Sequence, residues 1–82
     1  MIDLLYFAWV RERIGLPREQ VVTSAPTVRA LIAELIARDE SYALAFADLT
    51  SLRVALDQTL SDFDAPLDGV REVAFFPPMT GG

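Results

Sequence analysis

Val28, Leu31, Ile32, Leu35 and Ile36 are spaced three and four residues apart, so a helix through them carries its apolar side chains on one stripe. Ser24-Ala25-Pro26-Thr27 precedes the run and supplies hydroxyl oxygens for an N-cap, and the spacing predicts a helix from Val28 to about Asp39. Such a helix needs an apolar surface to lie on. The sequence on either side alternates with period two, which is the signature of strands. A single long helix between groups of strands restricts the chain to an α+β architecture in which one sheet covers the helix.

The alternation can be followed strand by strand. From Met1 to Ala8, Ile2, Leu4, Tyr6 and Ala8 share one face, while Asp3, Leu5 and Phe7 share the other. Trp9 to Ile14 reads as a short helical or turn segment closed by Gly15, with Pro17 preventing its continuation. Glu19 to Thr23 is a second strand, antiparallel to the first, and Tyr42 to Ala47 adds a short helix. Leu52, Val54 and Leu56 alternate with Arg53, Ala55 and Asp57 in a further strand. Asp64 to Gly69 is turn chemistry, and Arg71 to Phe76 closes the sheet with Val73 and Phe75 opposed to Glu72, Ala74 and Phe76. If the first and last strands are central neighbours they run parallel, and a mixed sheet wraps the helix. That arrangement is the ubiquitin-like β-grasp, here expected over residues 1–76 with an extended tail over 77–82. A ferredoxin-like sandwich has the same periodicities but needs one more helix.

A sheet with one helical layer keeps one face open to water. Parity sends Asp3, Arg53, Asp57 and Glu72 there, and with them Leu5, Phe7, Ala55, Ala74 and Phe76. Two phenylalanines on an open face predict a docking surface. The alternative is that a loop or the segment around Leu60 covers them.

Phe76 also begins the run Phe76-Pro77-Pro78-Met79-Thr80-Gly81-Gly82. The two prolines lack amide hydrogens and fix φ, so the strand stops and the chain continues stiff and extended. Six residues from Pro77 to Gly82 reach roughly 20 Å at full extension. Thr80 is small and Gly81 and Gly82 have no side chains, so the last carbonyl can enter a narrow channel on another protein. A carboxylate is a poor electrophile, and acyl transfer through Gly82 requires its conversion to an acyl-adenylate by a partner using ATP. Attack by a persulfide then leads to a C-terminal thiocarboxylate, and attack by a cysteine thiol leads to a thioester. Sequence chemistry leaves both routes open.

Composition narrows the rest. The 82 residues include no cysteine and no histidine, which removes the usual nucleophiles, general bases and zinc ligands. Asp57, Asp62, Asp64 and Asp68 do not follow calcium-loop spacing and read as solvated turn residues. No metal and no permanently bound cofactor is expected. The net charge of −5 argues against nucleic acid and anionic membranes and is compatible with basic protein partners. No apolar run approaches the ~18 residues that span a bilayer, and with no cysteine or signal peptide a cytoplasmic setting is expected. All seven basic residues are arginine, so no lysine side chain can accept an isopeptide bond.

The chain resembles the small, sulfur-carrying subunit of molybdopterin synthase, a ubiquitin-like carrier, over essentially its full length. The likeness rests on Leu5-Tyr6-Phe7-Ala8 with Val10-Arg11-Glu12, on Pro26-Thr27-Val28, on Asp57-Gln58-Thr59-Leu60, and above all on Glu72 to Gly82. It implies that an E1-like adenylating enzyme activates Gly82 and that a sulfur donor, such as a cysteine desulfurase or rhodanese-like protein, completes the C-terminal thioglycine. The tail, through Thr80 and Gly81, would insert into the synthase large subunit and deliver sulfur to cyclic pyranopterin monophosphate. Docking would involve Phe7, Arg11, Leu60 and Phe76. Asp57 stands where relatives often carry Asn, and Val70-Arg71 replaces a more acidic loop. A carrier for thiamine or cysteine synthesis and a covalent protein modifier are the alternatives.

Overall fold

The computed structural model describes residues 1–78. Met79, Thr80, Gly81 and Gly82, and with them most of the expected tail, lie outside the described residues. The elements are β1 (Ile2–Tyr6), α1 (Ala8–Ile14), β2 (Arg18–Val21), α2 (Val28–Arg38) and α3 (Glu40–Ala45), then a 3-10 turn (Leu49–Ser51), β3 (Arg53–Leu56), β4 (Thr59–Ser61) and β5 (Glu72–Phe76). The five strands form one sheet in the order β2-β1-β5-β3-β4. β1 and β5 are parallel at its centre, and the other pairs are antiparallel. This is the β-grasp expected from the sequence.

Local chemistry explains the helix limits. The Thr27 hydroxyl accepts from the Ala30 amide at 3.2 Å and starts α2, and Asp39 accepts from the Ser41 amide at 2.9 Å and starts α3. Gly15, at φ 90°, closes α1 in the left-handed region that suits glycine. α2 buries Val28, Leu31, Ile32 and Leu35, whereas Ile36 is 38% exposed at the margin of the stripe.

These side chains pack on the inner face of the sheet, where Leu4, Tyr6, Val54, Val73 and Phe75 are nearly or completely buried. Full burial of each large apolar side chain contributes roughly 1.5–3 kcal/mol before entropic costs. The Phe75 ring stacks on Tyr6 at 6.0 Å and meets Phe46 edge-on at 4.9 Å. The strand that leads to the tail is therefore held by neighbours on both edges and by aromatic packing beneath.

Several features differ from the sequence expectation, among them the bounds of β2 and α3, which are Arg18–Val21 and Glu40–Ala45 rather than Glu19–Thr23 and Tyr42–Ala47. β1 stops at Tyr6 because Ala8 takes φ 53°, turning the chain into α1 one residue before the predicted start. The residues around Leu60 form an unanticipated edge strand, β4, which extends the sheet.

Candidate functional site

The register divides the open face into three bands. At the start of β5 the band is polar: Gln20, Asp3 and Glu72 lie side by side, and the Asp57 amide donates to the Glu72 carbonyl at 2.9 Å. The middle band is apolar and crosses the sheet as Leu5, Ala74, Ala55 and Leu60, with Arg18 at the β2 edge. At the tail end Phe76 faces Arg53 across the β3–β5 pair, and the register of Tyr6 with Phe75 brings Phe7 alongside Phe76.

Phe7 is 43% exposed, Leu60 is 68% exposed, and Phe76 is half-buried. Leu60 does not shield the phenylalanines; it enlarges the apolar face toward the β4 edge. Ala74, expected to be exposed, is buried on this same face. Its small side chain lies between Leu5 and Ala55 on flanking strands, and their larger neighbours shade it. The result is a shallow apolar floor between Leu60 and the phenylalanines.

Arg11 does not share a sheet band with the other three predicted docking residues. It is exposed on α1, the helix that begins directly after Phe7. Val10 and Ile14 are buried on that helix, and Arg11 and Arg13 are exposed at its surface. Arg13 lies 4.4 Å from the centre of the Trp9 ring. Arg53 donates to the carbonyls of Leu52 at 2.8 Å and Thr50 at 3.4 Å, so its guanidinium group is anchored beside the 3-10 turn. Phe7, Phe76 and Arg53 therefore occupy the tail end of the open face, while Arg11 and Arg13 flank it from the helical layer.

Several carboxylates brace this geometry. Asp57 and Gln58 form the β3–β4 turn with φ 49° and 70°, the positive pair that a tight hairpin demands. One Asp57 oxygen accepts from the amides of Arg71 and Glu72, both at 3.0 Å, and joins that turn to the start of β5. A residue read from sequence as a solvated turn residue thus has a structural task. Arg29 donates to both oxygens of Asp64, which holds the Asp64 carboxyl below its ordinary range through hydrogen bonding and charge.

Tyr6 and Tyr42 both donate to one Glu19 oxygen, at 2.8 and 2.5 Å, tying β1 and α3 to β2. Burial, followed by the bond to Glu19, pushes the Tyr42 hydroxyl up to about 12 and the Tyr6 hydroxyl higher still. Sequence periodicity placed Tyr6 on the inner face but gave no sign of this shared carboxylate.

Around the root of the tail, then, the described residues offer aromatic and aliphatic surface and guanidinium groups. Such a surface suits docking and the orientation of a chain end. Among the described residues no group of three or more His, Cys, Asp or Glu could hold a metal ion. No helix among them is long and apolar enough to cross a membrane.

The ThiS family matches residues 4–82. The molybdopterin synthase sulfur carrier subunit of Escherichia coli (strain K12) is 48% identical over 82 residues, covering 100% of both chains. The protein of the same description from Haemophilus influenzae is 37% identical, again over 100% of both. Among solved structures, SAMP1 from Haloferax volcanii superposes with a TM-score of 0.77 over 99% of this chain and 98% of its own, at 20% identity, a likeness of fold.

Proposed function

This chain belongs to the ThiS family, and on that premise we propose that it is the sulfur carrier of molybdenum cofactor biosynthesis, acting through the carboxylate of Gly82. The observation that carries this reading is the 48% identity, end to end, with a relative described as a molybdopterin synthase sulfur carrier subunit. The position of Phe76 supports it further. The tail leaves from the central strand of a rigid sheet, beside an apolar face suited to holding a partner.

In this reading the Gly82 carboxylate attacks the α-phosphorus of ATP on an E1-like enzyme, and pyrophosphate leaves. The terminal sulfur of a donor persulfide, formed by a cysteine desulfurase or rhodanese-like protein, then displaces AMP from the carbonyl carbon. A second thiol cleaves the resulting S–S bond, freeing the C-terminal thiocarboxylate and leaving a disulfide on the donor side. The carrier next docks on the large subunit of molybdopterin synthase in the cytoplasm. Phe7, Leu60, Phe76 and Arg11 make the contact, and Thr80 and Gly81 pass through the channel. The sulfur is transferred to cyclic pyranopterin monophosphate. This chain contributes positioning and the carried atom, and its partners contribute the catalytic groups.

Reconstitution with the activating enzyme, ATP, a sulfide source, the large subunit and cyclic pyranopterin monophosphate tests the proposal. Wild-type chain supports formation of the dithiolene product, and a chain lacking Gly82 does not. Equal product from both chains would refute it.

A further inference from the structure

We infer that Arg11, Arg13 and Arg53 form a cationic collar around the exit of the tail, shaped for a partner entrance rimmed with carboxylates. This rests on the carrier reading and specifies the chemistry of the surface the carrier meets.

The net charge of −5 suggests a basic partner, but the charge is unevenly distributed. Arg53 lies opposite Phe76 on the open face, and Arg11 and Arg13 project from the helix that starts after Phe7. Of the twelve acidic residues, Glu12 and Asp48 alone lie on α1 or at the cap of the adjacent 3-10 turn. Asp48 lines a shared hollow with Arg13 and keeps its charge, its carboxyl held below the ordinary range by bonds from the hydroxyls of Thr50 and Ser51 and the Thr50 amide. Asp3, Asp57 and Glu72 occupy the opposite end of the sheet. With Glu12 and Asp48 set against the three arginines, and Arg71 against those three carboxylates, the balance of charge is positive where the tail departs and negative where β5 begins.

Two of the collar residues are held in place before any partner arrives. Arg13 is stacked against Trp9 and Arg53 is bonded to two carbonyls, so docking freezes less side-chain motion. A charge arrangement of this kind acts first on encounter. It turns the carrier tail-first toward a negative surface and raises the association rate at low salt. Once docked, each arginine can meet a carboxylate at the rim while the phenylalanines cover the apolar centre, the usual division of an interface into dry core and charged edge.

The test uses the full chain and the purified large subunit of molybdopterin synthase, with association followed by stopped flow. The variants are Arg13→Gln with Arg53→Gln, and Arg71→Gln as a control at the far end of β5. At about 50 mM salt the double variant associates roughly five- to tenfold more slowly than wild type, and at about 0.5 M the rates converge because screening shortens the reach of the charges. Arg71→Gln leaves the rate unchanged or raises it. An unchanged rate for the double variant at low salt, or an equal loss with Arg71→Gln, would overturn the collar while leaving the carrier reading intact. Failure of every chain, wild type included, to form a complex would contradict the carrier reading and the collar with it.

Discussion

The amide of Phe7 donates to the carbonyl of Phe75 at 3.1 Å, joining the chain as it leaves β1 to the chain as it leaves β5. This bond sets Phe7 beside Phe76 at the root of the tail. Because Phe75 is fully buried in an aromatic cluster, the position of that root is fixed by the core. The apolar face therefore has a fixed position relative to the point where the chain leaves β5.

Replacing Phe7 or Leu60 by Asp separates docking from folding. Both side chains are well exposed, so stability changes by no more than about 1 kcal/mol. At the centre of a docked surface the same change costs about 2 kcal/mol or more of binding, some thirtyfold in affinity for the large subunit. Calorimetric titration beside thermal melting checks both halves. Loss of the folded state would assign these side chains to the core instead.

Ala8 provides a test of backbone strain. Its φ of 53° places a residue with a Cβ in the left-handed region, at a cost of roughly 1–2 kcal/mol that glycine does not incur. Ala8→Gly raises stability by about 1 kcal/mol in urea denaturation, and Ala8→Val, with its branched Cβ, lowers it. A destabilised glycine variant would show that the turn after Phe7 is unstrained.

Alkaline unfolding reports on the two tyrosines. The chain has no lysine, so between neutral pH and the arginine range its titrating side chains are Tyr6 and Tyr42. Both hydroxyls are raised in the folded state by burial and by Glu19, Tyr42 to about 12. The unfolded chain therefore loses these protons first. Their stabilisation is full below the ordinary tyrosine value near 10 and falls as pH rises from there toward 12 and beyond. Denaturation curves at intervals from pH 8 to about 12, with tyrosinate absorbance alongside, should show both phenols ionising together with unfolding. Ionisation near pH 10 in a chain that stays folded would contradict the shared Glu19 contact.

Asp57→Asn is close to neutral, because asparagine accepts the same two amide bonds and tolerates positive φ. Asp57→Ala costs roughly 1–3 kcal/mol, since it abandons two amides and leaves a poor residue for the turn. Comparing the two in urea denaturation distinguishes the bonding role from that of a solvated turn charge. Equal stability of the alanine and asparagine variants would dismiss it.

What could be read in advance follows from where the controlling physics is local. The α2 stripe, the Gly15 stop and the existence of the strand β5 are encoded within a few residues, and each reappears in the fold. β4 could not be read, because three residues at a sheet edge with Leu60 facing water carry no alternation to detect. The left-handed turn at Asp57-Gln58 contains no glycine, so no residue marked it as a tight hairpin. The Tyr6–Glu19–Tyr42 contact joins residues distant in sequence and required the fold itself. The docking face was intermediate: parity selected Phe7 and Phe76, whereas the burial of Ala74 depends on strands supplied from elsewhere.

The proposed chemistry resides in one atom at the end of the chain. The most direct measurement is the intact mass of the protein after incubation with the proposed E1-like adenylating enzyme, ATP and a sulfur donor, with fragmentation to locate any change. The account predicts a gain equal to the exchange of one oxygen for one sulfur, confined to Gly82 and reversed when the large subunit and the pterin substrate are added. An unchanged mass in a fully active mixture, or sulfur located anywhere other than Gly82, would contradict it.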